Sequence, residues 1–377
     1  MLSRRHFSMV AGAAALTCFG SSYAQSGNRI VLGQSAAFTG PAAQLGIQFH
    51  AGAKLWFDQL NDSGGVNGKS VEIKKMDDGY EPERCLANTK SLIDDGVFAL
   101  FGYIGTPTCL AALPIIKSSQ IPFIAPFTGA MSLREPFIKN VFHLRASYND
   151  ETALIVKQLT NLGLKKIAVF YQNDAYGKAG LDGVTLALSK LDLKPVAIAT
   201  VERNTIDVAN AVKVLTAAAP DAVVQISAYK SCAAFIRESR KAGFGGTFFN
   251  VSFVGTQALA DELGKDGAGV VVSQVVPSPY SPTRPIAREF LESIKKGGND
   301  VQANFSSMEG YLAAKLVTEG LRRAGSVSMS RTDLVRGIEA TGNQSFGGFT
   351  TQFSSSNHVA SSFVELSMLT GDGRVRT

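Results

Sequence analysis

Short runs of β-branched and apolar residues alternate with longer stretches whose apolar positions recur at helical spacing, almost without interruption along the chain. Such alternation predicts βαβ units and parallel sheets. A first series has strands at 30–34, 71–75, 98–101 and 122–125, with helices at about 41–60, at 82–94 and from Pro107. Gly64 stops the first helix, within a Gly64-Gly65-Val66-Asn67-Gly68 turn. A second series follows Leu144-Arg145-Ala146-Ser147, with strands at 167–171, 196–201, 222–226, 248–251 and 270–273. Its helices are predicted near 150–162, 177–190, 207–218, 229–242 and 256–263. Pro277-Ser278-Pro279-Tyr280-Ser281-Pro282 then breaks the rhythm. Helices near 284–296, 306–323 and 331–340 follow, then strands at 348–353 and 363–367. Three helices alone would leave their apolar faces uncovered, so this tail is assigned to the first series rather than to a third domain.

The first 24 residues depart from the pattern. Arg4 and Arg5 precede a short apolar run from Phe7 to Phe19, and Ser22-Tyr23-Ala24 has the small residues that signal peptidase needs. Residues 1–24 are therefore expected to be a cleavable signal peptide, with Gln25 first in a mature periplasmic chain. The run is too short to span a bilayer. Ser3-Arg4-Arg5-His6-Phe7 fits a twin-arginine signal as well as an ordinary secretion leader, so the export route stays open. Cys18 follows Thr17 rather than a small residue, which argues against lipid attachment.

Loss of the leader leaves about 350 residues, enough for two domains that each bury a core. With 45% apolar and 18% charged residues, and no later apolar run of membrane-spanning length, the mature chain is expected to be globular. The formal charge of +6 falls by two when Arg4 and Arg5 are removed. The remaining Lys and Arg residues are scattered, which excludes nucleic acid as a partner. Three cysteines remain, Cys85, Cys109 and Cys232. Cys85 and Cys109 fall on neighbouring predicted helices, where they either form one bridge or stay as small buried hydrophobes. No spacing fits a metal site, His50, His143 and His358 stand alone, and no cofactor is implied.

In open parallel sheets ligands bind beyond the carboxyl ends of the strands, where helix N-termini offer free N–H groups. Two strand ends have the right chemistry. The 98–101 strand runs into Gly102-Tyr103-Ile104-Gly105-Thr106-Pro107-Thr108, with Thr106 as a natural N-cap and Pro107 as a first helical residue. The next strand leads into Pro126-Phe127-Thr128-Gly129-Ala130, which has the same character. Two adjacent helix starts could clamp one carboxylate. Catalytic signatures are absent: there is no GxSxG elbow, and Asp77-Asp78 and Asp94-Asp95 sit in turns or at helix ends. The chain is expected to capture a ligand and not to be an enzyme.

At these positions the chain resembles the leucine/isoleucine/valine-binding family, the type I periplasmic binding proteins of ABC importers. The likeness rests on Ser35-Ala36-Ala37-Phe38-Thr39-Gly40-Pro41, the Gly64–Gly68 turn, Asp77-Asp78 and Phe101-Gly102-Tyr103 to Thr108. It continues through Pro126 to Ala130 and Asp174-Ala175-Tyr176-Gly177, and it covers nearly all of the mature chain. The resemblance implies a two-lobed α/β fold with a parallel-sheet sandwich in each lobe. Lobe 1 would comprise 25–147 with 277–353, and lobe 2 would comprise 148–276 with 354–377. Three crossover segments near 145–149, 275–282 and 352–357 would form the hinge.

The resemblance also implies function and site. The chain would be the periplasmic solute-binding component of an ABC importer, capturing a branched-chain or hydrophobic amino acid or a related small carboxylate. Its partners would be that ligand and ABC permease subunits of the inner membrane, and it would act as a monomer. A periplasmic ligand sensor of the same fold and a secreted hydrolase are the alternatives. Thr106 matches the hydroxyl that binds the ligand carboxylate, and Phe127 a backbone contact beside it. Gly129 stands where many members have threonine, so Thr128 is expected to supply that hydroxyl. Tyr176 and Tyr229 match rings that close over the ligand. Phe253 stands where amino-acid binders carry the acid that pairs with the ammonium, and Leu45 where an aromatic ring often lines the pocket. Asp174 or Asp150 is left to replace the missing acid.

Overall fold

Each of the two series of strands builds its own sheet. The computed structural model describes residues 28–298, 300–325 and 329–377; the signal peptide and its cleavage site lie outside the described residues. The first series runs β1 (Arg29–Ala36), α1 (Ala43–Asp62), β2 (Ser70–Asp77), α2 (Pro82–Asp94), β3 (Ala99–Phe101), α3 (Thr106–Ser119), β4 (Phe123–Ile124) and β5 (Val141–Phe142). These strands form a parallel sheet in the order β2-β1-β3-β4-β5.

The second series runs α4 (Tyr148–Asn161), β6 (Ile167–Gln172), α5 (Ala175–Ser189), β7 (Ile198–Val201), α6 (Ala209–Ala217), β8 (Ala222–Ile226), α7 (Tyr229–Lys241), β9 (Thr247–Asn250), α8 (Thr256–Leu263) and β10 (Val271–Gln274). Every residue of β8 is buried, because helices cover both faces of a parallel sheet. The tail supplies α9 (Pro285–Gly297), α10 (Phe305–Ala324), α11 (Arg331–Glu339), β11 (Ser345–Phe346), β12 (Phe349–Thr350), β13 (Glu365–Leu369) and β14 (Val375–Arg376).

The tail helices join the first sheet through a backbone-to-backbone contact of α10 with α1. A Cβ added to Gly52 would lie 1.8 Å from the Ser307 carbonyl oxygen, and one added to Gly310 would lie 2.0 Å from that of Phe49. Only glycine lets the two helices approach so closely at these points.

Two expectations change. Residues 348–353 do not form a long strand; Gly347 and Gly348, both at positive φ, turn a two-residue hairpin of β11 and β12. The second sheet is mixed, in the order β14-β13-β10-β9-β8-β6-β7, with antiparallel pairing of β13 to β10 and of β14 to β13. The chain re-enters this sheet from the other lobe at its edge and turns back through Gly371-Asp372-Gly373, which fixes the antiparallel direction. Cys85, Cys109 and Cys232 are free and buried, so no bridge joins the first two. Among the described residues, no helix is long and apolar enough to cross a membrane, and no cluster of His, Cys, Asp and Glu could hold a metal ion.

Candidate functional site

The carboxyl ends of the two sheets face each other, and their loops interlock around one phenylalanine. Phe253, on the single 3₁₀ turn after β9, lies 4.4 Å ring to ring from Tyr176, at the start of α5. From the other lobe it meets Phe127 and Tyr80, each at 5.8 Å. All four rings are buried.

The loops after β3 and β4 build the first-lobe wall. Ile104 and Phe127 pair as a parallel bridge, and the Gly105 N–H donates to the Phe127 carbonyl at 3.2 Å. Thr106 is not the N-cap. Gly105 occupies that position at φ 98°, where a Cβ would lie 2.2 Å from the Tyr80 ring, and α3 begins at Thr106. Freed from capping, the Thr106 hydroxyl sits 2.6 Å from that of Thr128, and both residues are fully buried. The second expected helix start is a single 3₁₀ turn, Met131–Leu133, so no helix dipole stands behind the Thr128 loop, whose Phe127, Thr128 and Ala130 N–H groups donate to the Tyr103 carbonyl, the Pro126 carbonyl and the Thr128 hydroxyl.

Gly129 has a steric reason to carry no side chain. A Cβ there would lie 2.6 Å from both the ring and the backbone nitrogen of Tyr148, whose N–H donates to the Gly129 carbonyl at 2.8 Å. Tyr148 stands 5.4 Å from Tyr176, and burial pushes its hydroxyl up to about 12, against the opposing pull of Arg145 and Thr128. Burial likewise raises Tyr176 well above the usual tyrosine value.

Two buried arginines underlie this wall. Arg145 forms a bidentate pair with Glu309 of α10, at 2.8 and 2.7 Å, and its guanidinium lies 3.9 Å over the Phe127 ring. Burial alone would lower its pKa, but Glu309 raises it above the ordinary arginine value. Arg134 donates to four carbonyls, those of Ala130 (2.9 Å), Arg145 (3.1 Å), Thr128 (3.3 Å) and Ala146 (3.4 Å). Burial and the neighbouring Arg145 lower it to about 10. Arg145 Nη1, Tyr148 Oη and Tyr176 Oη are buried without a well-formed partner among the described residues.

The acids are engaged elsewhere. Asp150 completes a capping box with Ser147 at the start of α4. Asp174 caps α5 through the N–H groups of Tyr176 and Gly177 and accepts from Gln172 at 2.6 Å, and burial raises its pKa. Glu151, also raised by burial, accepts from the Ser252 N–H (2.7 Å), the Ser273 hydroxyl (2.6 Å) and the Ser252 hydroxyl (3.1 Å).

Thr106, Phe127, Thr128, Gly129, Tyr176 and Phe253 therefore come together. Leu45 flanks them, with its side chain packed where Gly255 leaves room. Tyr229 stands apart, in the apolar cluster of α7 and α8, with its hydroxyl near the Gln44 backbone. Asp174 belongs to the rim. There Arg203 reaches Glu81 at 2.9 Å and Asp174 at 3.4 Å, and Asn204 donates to Gly79 and Glu81. Tyr80, Arg134, Arg145, Tyr148 and Glu151 are the participants that the sequence did not single out. For Tyr80, Arg145, Tyr148 and Glu151 the one signal is position, beside a strand end or crossover already marked, and Arg134 has none.

Comparison with known proteins is consistent over most of the chain. The sequence model of a family described as periplasmic binding protein matches residues 29–373. The chain is 24% identical over 325 residues to Leu/Ile/Val-binding protein homolog 3 of Brucella melitensis, covering 86% of each. It is similar to the crystal structure of a possible leucine/isoleucine/valine-binding protein from Rhodopirellula baltica, with a TM-score of 0.86 and 32% identity over 91% of this chain and 94% of that one. A substrate-binding periplasmic protein from Ralstonia solanacearum also has a TM-score of 0.86, with 30% identity over 92% of this chain and 99% of that one.

Proposed function

This chain belongs to the periplasmic binding protein family, in its leucine/isoleucine/valine-binding branch, and on that premise we propose that it captures a small hydrophobic carboxylate for an ABC permease. It is exported by the leader at 1–24 and works as a monomer. Its lobes, 25–147 with 277–353 and 148–276 with 354–377, close on the ligand by bending at the crossovers. The hydroxyls of Thr106 and Thr128, with the Gly129 N–H, hold the carboxylate, because the Phe127 and Thr128 N–H groups already donate to the Tyr103 and Pro126 carbonyls. Leu45, Tyr176 and Phe253 enclose the apolar part, and Tyr229 lies outside that wall.

The observation that carries this reading is the lack of a free acid where an ammonium would sit. Phe253 occupies that position, while Asp150 and Asp174 are committed to helix caps and the rim. Burying an unpaired ammonium costs several kcal/mol, so the cleft favours a carboxylate without an α-amino group over the matching amino acid. Calorimetry with leucine, phenylalanine, 4-methylpentanoate and 3-phenylpropanoate tests this, the two deaminated acids being expected to bind more tightly. Tight leucine binding that survives Asp150→Asn and Asp174→Asn would overturn it.

A further inference from the structure

The two buried arginines differ in one respect. Arg145 has an acid of its own, held in bidentate geometry, whereas Arg134 makes no ion pair among the described residues. The acids nearest to Arg134 are occupied: Asp150 by its capping box, and Glu151 by three donors from Ser252 and Ser273. A guanidinium more than nine-tenths buried and answered only by carbonyl dipoles is an incomplete electrostatic arrangement.

Its hydrogen bonds show where that charge is felt. The Thr128 carbonyl that accepts from Arg134 belongs to the same peptide unit as the Gly129 N–H, and the Ala130 carbonyl to that of Met131. A charged donor on the oxygen of a peptide polarises it and strengthens its N–H as a donor. Nη2 meanwhile binds Arg145 and Ala146, fixing the loop to the first crossover segment.

We propose that Arg134 is a positioning residue for ligand charge, making the Thr128–Gly129 loop select a carboxylate over a neutral isostere of the same shape. The inference rests on the reading that the ligand carboxylate lies on that loop. It assigns the selection to the unpaired member of the two buried arginines rather than to the hydroxyls, which bind either form.

The test compares 3-phenylpropanoate with 3-phenylpropanamide by calorimetry. The unaltered protein is expected to prefer the acid by on the order of 10- to 100-fold, the range of a charge-assisted hydrogen bond. Arg134→Gln is expected to collapse that ratio to within about threefold, and Arg134→Lys, which keeps the charge, to retain most of it. Equal weakening of both probes in Arg134→Gln, with the ratio intact, would reduce Arg134 to loop scaffolding and overturn the proposal. If Arg134→Gln does not fold, the remaining proteins decide: an acid-to-amide ratio near one in the unaltered protein, or its loss in folded Arg134→Lys, overturns it. Should neither probe bind while leucine does, the deaminated-ligand reading fails instead. Leucine against leucinamide then gives the same comparison for Arg134.

Discussion

The two lobes meet at several places, and two of these meetings have opposite chemistry. At the rim, Arg203, Asn204 and Gln172 reach across to Glu81, Gly79 and Tyr80 through hydrogen bonds and one ion pair, with side chains 24% exposed at Arg203 and 42% at Glu81. At the floor, Phe253 enters a ring cluster whose members are at most 1% exposed, above an arginine–glutamate pair whose side chains are 1% and 3% exposed. Exposed ion pairs contribute about 0 to 1 kcal/mol, whereas an unpaired charge at a buried position costs several. On the proposed reading, the rim is expected to set how long the cleft stays shut and the floor what it accepts.

The largest effect is expected at the floor. Glu309→Gln strands Arg145 in the interior and should lower the unfolding free energy by about 3–5 kcal/mol in urea titrations. A loss below about 1 kcal/mol would place the pair among solvated bridges and erase the contrast. Next comes the ligand itself. At a hundredfold excess over its dissociation constant, 3-phenylpropanoate should add about 2.7 kcal/mol to stability, since only the folded form binds. X-ray scattering should show compaction on binding, and an unchanged radius of gyration at saturation would contradict hinge closure.

Thr106→Ala should then weaken 3-phenylpropanoate by about 1.5–3 kcal/mol, the value of a hydrogen bond to a charged group. An unchanged affinity would remove the carboxylate from that hydroxyl. The rim gives the smallest change: Arg203→Ala should cost at most about 1 kcal/mol and speed ligand release. Raising ionic strength should reproduce that acceleration in the unaltered protein and have little further effect in the variant. Salt-independent release from both proteins would deny the rim its kinetic part.

The same contrast explains what the sequence could tell. Alternating periods predicted the inner strands well, because a segment such as β8, four apolar residues and Gln225, is buried on both faces. The loops holding Thr106, Thr128 and Gly129 were legible because glycine, threonine and proline at strand ends are local signals. Arg134 and Arg145 were not. Their significance depends on whether an acid arrives from elsewhere, and Glu309 lies 164 positions away from Arg145. Tyr80 was hidden for a different reason: its φ of +64° is set by an Asx turn in which its N–H donates to Asp78 at 2.8 Å. For Phe253, sequence marked the missing acid but not the ring cluster that its side chain completes.

The three buried thiols give the molecule internal clocks. Burial raises Cys85, Cys109 and Cys232 above the ordinary thiol value, so native thiolate is scarce and alkylating reagents must wait for the chain to open around each one. Cys85 and Cys109 pack under the first sheet, and Cys232 lies in the cluster of α7 and α8 under the second. Pulsed alkylation read by mass spectrometry should therefore time the unfolding of each half of the molecule separately and without a label. Hinge motion, which moves the lobes without opening their cores, should leave all three rates unchanged.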